Sequence, residues 1–168
     1  MTSDRRKRGS TNAADVRGIQ ETLEHMIPKS LDDIVRKSRD RFQIALATVE
    51  ELAGLAATIE AGPIRDTITE WRIIAFRAIG LSVDAQTQAV SRSLLLLLGR
   101  AAGTRCPWIT SAVTEIDIDR RLVRTQNSVY RLGARGEGEP PQEDLICVCA
   151  ATHRWGVGKR IGAPAFFY

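Results

Sequence analysis

The sequence predicts an α+β protein: an N-terminal antiparallel helical bundle, then a small antiparallel three-stranded meander and a buried C-terminal helix. Three observations lead to this prediction. Apolar residues between positions 30 and 61 recur every 3.5 residues, the period of a heptad seam. After Gly103 the apolar period falls to two residues, which is typical of strands. The stretch 145–151 is apolar on every side, which indicates a helix buried between two layers.

Composition favours a folded chain that has a polar start. Of 168 residues, 43% are hydrophobic and 26% charged, which is enough apolar material for a core. Residues 1–12 are polar and basic, so we expect a flexible tail there. The helical bundle is then expected over 13–103 and the meander with its helix over 104–168. The longest apolar run, Leu94–Leu98, is too short to cross a bilayer, and no membrane contact is expected.

The bundle is predicted to contain four helices. The first ends before Pro28, because a residue that precedes proline disfavours helical backbone. Ser30 can cap the second helix, and Gly62 and Pro63 separate it from the third. The seam of the second helix suits a partner helix, either within the chain or in a homodimer. The predicted helices cover 13–27, 30–61, 63–79 and 82–102.

The second half of the chain alternates in the manner of strands. Between Ser111 and Asp119, apolar and acidic residues take turns, which predicts a half-buried strand. Two shorter strands are predicted over 122–125 and 129–132. Pro140 and Pro141 lead into acidic residues, which is good chemistry for a helix N-terminus, and a helix is predicted over 141–155.

Two basic clusters are candidate binding sites. The N-terminal tail carries four consecutive basic residues, and the meander with its following loop carries five arginines close to Trp108 and Tyr130. Arginines interleaved with aromatic residues can neutralise a nucleic-acid backbone and stack on bases. The alternative interpretation is a solvated charged surface. The candidate residues are Arg5, Arg6, Lys7, Arg8, Arg120, Arg121, Arg124, Arg131 and Tyr130, and Arg135 is the fifth arginine of the second cluster.

Two further clusters, one of acidic residues and one of cysteines with a histidine, are weaker candidates for a metal or catalytic site. Glu115, Asp117 and Asp119 are predicted to share one strand face, where they would either hold a divalent cation or pair with arginines of neighbouring strands. Cys149 and His153 are one helical turn apart, but Cys147 lies on another side of the helix, so a metal site is not expected. Burial also opposes a reactive thiolate at Cys149. No catalytic, cofactor or metal residue is therefore assigned.

These patterns predict a non-enzymatic binding or regulatory protein that acts through contacts with a protein partner. Nucleic-acid association through the arginines and a homodimer through helix 30–61 stay open. The competing function is a divalent-metal-dependent hydrolase or nuclease that uses Glu115, Asp117 and Asp119. Three cysteines do not suggest a disulfide scaffold, so we expect a reducing, cytoplasmic location. The terminal aromatic residues 166–168 are predicted either to pack on the domain or to dock in a partner.

Overall fold

The computed structural model describes residues 17–18, 26–60, 62–79 and 93–166, and the main feature of this part of the chain is one six-stranded sheet. The predicted helical bundle is wrong, and so is a meander of only three strands. The strands are β1 (Phe42–Leu46), β2 (Ile64–Ala78), β3 (Leu94–Ala101), β4 (Pro107–Asp117), β5 (Leu122–Thr125) and β6 (Val129–Leu132). The helices are α1 (Leu31–Ile34), α2 (Val49–Ala53), α3 (Gln142–Arg154) and α4 (Gly158–Ile161).

The sheet closes on itself. Each strand pairs antiparallel with the next, in the order β1 to β6, and β6 also pairs in parallel with the first part of β2. The long strand β2 therefore has β3 on one side along most of its length. On its other side β6 lies beside residues 64–68 and β1 beside residues 74–78.

The two faces of the sheet carry separate apolar clusters. The interior cluster lies inside the closed sheet and includes Trp71, Ile73, Leu97, Val123 and Tyr130. The outer cluster lies between the sheet and the helices α1, α3 and α4, and residues from each of these helices contribute to it. Its buried members are Leu31, Ile34, Val35, Ile44, Ile74, Leu96, Leu98, Leu145, Val148, Cys149, Ile161 and Ala163.

An extra residue in β2 changes which side chains face inward. Ile68 and Trp71 both belong to the interior cluster although they are three positions apart, because the β2–β3 register shifts between Thr69 and Arg72. A β-bulge of this kind moves the following side chains to the opposite face. Glu70, inside the bulge, has a positive φ of 48°. Arg72 thereby points away from the interior.

The heptad pattern of residues 30–61 reflects two short helices and one strand. Only Leu31–Ile34 and Val49–Ala53 are helical, and Phe42–Leu46 is β1. Ser30 does cap its helix, since its hydroxyl accepts from the Asp33 N–H. Val49, a seam position, is 78% exposed. No long helix exists here to support the predicted homodimer.

The predicted helices over 63–79 and 82–102 are also wrong where the structure describes them. Residues 64–78 form β2 and residues 94–101 form β3, while 80–92 lie outside the described residues. In Leu95–Leu98, successive side chains alternate between the interior and outer clusters. A strand buried on both faces reads as a continuous apolar run, which periodicity cannot distinguish from a buried helix. Most of the predicted helix over 13–27 likewise lies outside the described residues.

Several predictions for the second half are confirmed. Strands β5 and β6 have the predicted bounds, and α3 begins and ends one residue inside the predicted helix 141–155. Its residues Leu145, Val148 and Cys149 are buried. The predicted strand 111–119 is β4, which starts at Pro107 and ends at Asp117.

Helix α2 is tied to the sheet through Glu51. The Glu51 carboxylate accepts from the Thr48 N–H in a capping box and from the Arg77 guanidinium at 2.6 and 2.8 Å. The hydroxyl of Ser93 donates to the same carboxylate. The hydrogen bond from Arg77 is the largest of the causes that lower the pKa of Glu51 from 4.5 to about 2.

We predict that Gly99→Ala destabilises the protein by about 1–3 kcal/mol, as overpacking does. A Cβ at Gly99 would lie 2.5 Å from the Ile68 Cγ2 and 2.7 Å from the Thr69 carbonyl oxygen, beside the bulge. Urea unfolding measures the change. Gly103→Ala is the control, because a Cβ there meets nothing within 4 Å. Equal stability of both variants would contradict the close approach at the bulge.

We predict that Glu51 stabilises the fold above pH 4.5, and that this contribution is lost as the pH falls towards about 2. The sign follows from a carboxyl whose folded pKa is lower than its unfolded pKa. Glu51→Gln should cost about 3 kcal/mol at neutral pH and much less at pH 2. Chemical unfolding at both pH values tests this, with the exposed neighbour change Glu50→Gln as the control. A loss for Glu51→Gln that does not vary with pH would refute it.

Candidate functional site

Asp117 anchors the turn between β4 and β5. Its carboxylate accepts from the backbone N–H of Arg120 and from the backbone N–H of Ile59, each at 2.9 Å. These two hydrogen bonds are the main causes of a lowered pKa for Asp117. Arg120 in turn donates to the Ile59 carbonyl at 3.0 Å. Asp117 therefore joins the turn to the chain segment 55–60, which runs beside β4.

The predicted acidic face does not assemble. Glu115 pairs with Arg124 across β4 and β5 at 2.7 Å, which confirms the cross-strand pairing. Asp117 is buried on backbone donors, and Asp119 is exposed in the turn after the strand has ended. Within the described ranges, no three His, Cys, Asp or Glu side chains are grouped so as to hold a metal ion.

The thiols and the imidazole of α3 have structural surroundings. Cys149 is fully buried, and burial raises the pKa of its thiol to about 12. Burial also raises the pKa of Cys147. The His153 Nε2 lies 3.0 Å from the Ala163 carbonyl oxygen, and Gly158 packs against the His153 ring. This arrangement does not provide a thiolate nucleophile beside an imidazole base.

Arg100 gathers acidic residues beside a cavity of about 750 Å³. Its guanidinium lies 3.5 Å from Glu70, 3.1 Å from Glu143 and 3.2 Å from Asp144. Asp144 is fully buried, and burial raises the pKa of its carboxyl. Because one cation faces three acidic side chains, this cluster has no free cation to offer an anionic ligand.

The five arginines of the predicted meander and its following loop divide into two groups. Arg120 is 3.9 Å from Asp117, and Arg124 is paired with Glu115. For the other three, no carboxylate lies within 4.0 Å among the residues that the structure describes. We call these three the arginine rim: Arg121, Arg131 and Arg135.

The arginine rim lies where β5 begins and β6 ends. The Leu132 N–H donates to the Arg121 carbonyl at 2.8 Å, and Arg131 lies opposite Leu122 in the β5–β6 register. Arg121 has a positive φ of 54° in the turn. Arg135 follows β6 and forms a bridge with Trp71.

A cavity of about 260 Å³ lies between Arg121 and Arg135. Its lining includes Trp71, Leu132 and Ile118, the last of which is 60% exposed. The Arg135 guanidinium lies over the Trp71 ring, 5.3 Å from its centroid. The Trp71 indole N–H donates to the Gly133 carbonyl at 3.1 Å. Cationic groups therefore surround an apolar floor.

Other candidate residues are placed differently. Tyr130 is 3% exposed in the interior cluster, so its ring is not on the surface for stacking. Phe166 packs partly against the outer cluster. The basic residues Arg5, Arg6, Lys7 and Arg8, and the aromatic residues 167–168, lie outside the described residues.

Sequence reasoning missed Trp71 and Arg72, because both were assigned to a helix. The sequence pattern places Arg135 only in the loop that follows the predicted meander. The usable signal was the glycine-rich stretch from Gly133 to Gly138, since glycine in such a position indicates close approach of backbone to other groups. A Cβ at Gly136 would lie 2.3 Å from the Arg72 Nη1.

Comparison of the chain with models of known families, with curated proteins and with solved structures finds no match. Within the described residues, none of the helices combines the length and the apolar character needed to span a membrane.

We predict that Asp117→Ala lowers the urea midpoint of unfolding several times more than Asp119→Ala. Removing the carboxylate leaves the Ile59 and Arg120 N–H groups without their acceptor, whereas Asp119 is exposed. Urea titrations of both variants, followed by circular dichroism, make the comparison. Equal midpoints would show that the segment 55–60 does not depend on Asp117.

Proposed function

We propose that this protein is a non-enzymatic binding or regulatory protein and that the arginine rim contacts its partner. The observation that supports the proposal is the absence of carboxylate partners, among the described residues, for three neighbouring arginines, two of which, Arg121 and Arg135, line one apolar-floored cavity. The neighbouring Arg120 and Arg124, in contrast, face Asp117 and Glu115. A cation without a partner in the free protein is available to an acidic group.

The surroundings of the rim favour a protein partner. Protein interfaces are enriched in arginine and aromatic residues around an apolar centre, and the few residues that dominate binding are of these types. Ile118 supplies exposed apolar surface beside Arg121, and Trp71 with Leu132 forms the floor. An acidic segment that carries an apolar side chain would match both features.

Nucleic acid is the second candidate. Arg121, Arg131 and Arg135 can contact phosphates as well as carboxylates, and the chain has a net charge of +4. Stacking of bases, however, needs exposed rings, and Tyr130 and Trp71 are both buried. The arginine rim would therefore contact the phosphate backbone of a nucleic acid without stacking on its bases.

We predict that reversing two rim charges, Arg121→Glu with Arg131→Glu, weakens binding of an acidic peptide about tenfold or more. The probe is a fluorescein-labelled peptide that alternates glutamate and leucine, measured by fluorescence polarisation with the full chain. The matched control is Lys159→Glu with Arg160→Glu, because it makes the same change in net charge at two exposed positions of α4.

A labelled single-stranded oligothymidylate is measured in parallel at several salt concentrations. Tighter binding of the oligonucleotide, with a steep salt slope that the double variant flattens, would assign the rim to nucleic acid instead. Failure of both probes to bind, or an equal loss in the double variant Lys159→Glu with Arg160→Glu, would overturn the proposal that the rim is the contact surface.

A further inference from the structure

Another cavity lies along one edge of β2, between the end of β1 and the chain that follows β6. At the end of β1, the Ala47 N–H donates to the Ile73 carbonyl at 2.8 Å. After β6, the Gly136 N–H donates to the Trp71 carbonyl at 3.0 Å. The two chain segments thus approach each other end to end, and a cavity of about 380 Å³ lies at their junction. This volume is within the range of small-molecule sites.

One wall of this cavity is apolar. Leu46, Leu52, Trp71 and Ile73 all line it, and they come from the end of β1, from α2 and from β2. Leu52 and Trp71 also pack in the interior cluster. A flat apolar group would therefore find hydrophobic contact and an indole ring at the same place.

The other wall contains a buried cation. Arg72 is 8% exposed and donates to three backbone carbonyls, those of Gly138 at 2.8 Å, Glu70 at 3.0 Å and Glu137 at 2.7 Å. A guanidinium has five N–H donors, so two remain beyond these three bonds.

No described carboxylate lies within 4.0 Å of the Arg72 guanidinium. Asp144 is close enough for Arg72 to affect it electrostatically, but the Asp144 carboxylate forms its ion pair with Arg100 at 3.2 Å. A buried charge without a counter-ion is costly, and an anion in the cavity would relieve that cost.

A second cation lines the same cavity. Arg135 stacks on Trp71 and, among the described residues, has no ion pair. The exposed side chain of Glu137 also belongs to the lining, so the cavity holds two cations and one carboxylate. The net charge of these three side chains is positive, and they lie next to the apolar wall.

We infer that the cavity between β1 and the chain after β6 binds a small apolar carboxylate, with the carboxylate facing Arg72 and Arg135 and the apolar group against Trp71, Leu52 and Ile73. The ligand class follows from the two walls: a guanidinium matches a planar carboxylate, and an indole with aliphatic neighbours matches an aromatic or aliphatic body. This site does not depend on the partner of the arginine rim, although Arg135 borders both cavities.

The test is isothermal titration of the full chain with phenylacetate and, separately, with phenylacetamide. The two probes have the same ring and nearly the same shape, but only the first carries a charge. We expect one phenylacetate per chain, bound about tenfold or more tightly than phenylacetamide. In NMR spectra, phenylacetate should shift the Arg72 Nε–H and Gly136 N–H resonances.

Variants test the contributions of the cationic wall and the apolar wall separately. Arg135→Gln, at an exposed position, should reduce the preference for phenylacetate over phenylacetamide. Leu52→Asp should weaken both probes, whereas Val49→Asp, in the same helix but 78% exposed, should change neither. Arg121→Glu should leave phenylacetate binding intact while it weakens the acidic peptide, so the two proposals can fail separately.

Three results would overturn the inference. The first is equal affinity for phenylacetate and phenylacetamide, which would mean that the buried cation contributes nothing. The second is phenylacetate binding that inorganic phosphate displaces and that Leu52→Asp leaves unchanged, which would indicate a surface anion site. The third is no heat and no resonance shift with either probe.

Discussion

The extra residue at Glu70 in β2 sets the arrangement of the groups around it. Without it, the strand's strict alternation would place Trp71 and Ile68 on opposite faces; with it, both fill the interior of the sheet. The same shift turns Arg72 outward, where its guanidinium binds the carbonyls of the chain after β6. Gly99 makes the bulge sterically feasible, because any side chain there would meet Ile68 and the backbone of Thr69.

The charged features of the surface depend on this arrangement. Arg72 and the bridge between Trp71 and Arg135 fix the path of residues 133–138, and that path brings Arg135 over the indole ring. The glycine at position 136 lets the backbone lie directly on the guanidinium. One strand irregularity thus places a buried cation, an exposed cation and an aromatic ring side by side. Both proposed binding sites use parts of this group.

Local patterns were enough to predict strands β5 and β6 and helix α3, but not the short helix α4 or the first half of the described chain. Strands β5 and β6 alternate clearly and turn tightly, and α3 has an acidic start and an apolar body, so their positions follow from the sequence. In the first half, strands β2 and β3 are covered on both faces, which removes the alternation that marks a strand. The heptad spacing of residues 30–61 comes from three separate elements, α1, β1 and α2, which come together only in the folded protein. Arg121 and Arg131 could be named from the sequence, whereas Trp71 and Arg72 required the bulge and the closure of the sheet to be known.

The parallel pairing that closes the sheet joins residues 64–68 to residues 129–132, which are far apart along the chain. Contacts of such separation carry a large loop-closure cost, and folds that depend on them form slowly. A chain that has not yet been synthesised as far as Arg135 lacks the last part of both cavities. The two proposed binding sites therefore cannot form on the first strands alone, and they are completed only with the closure of the sheet.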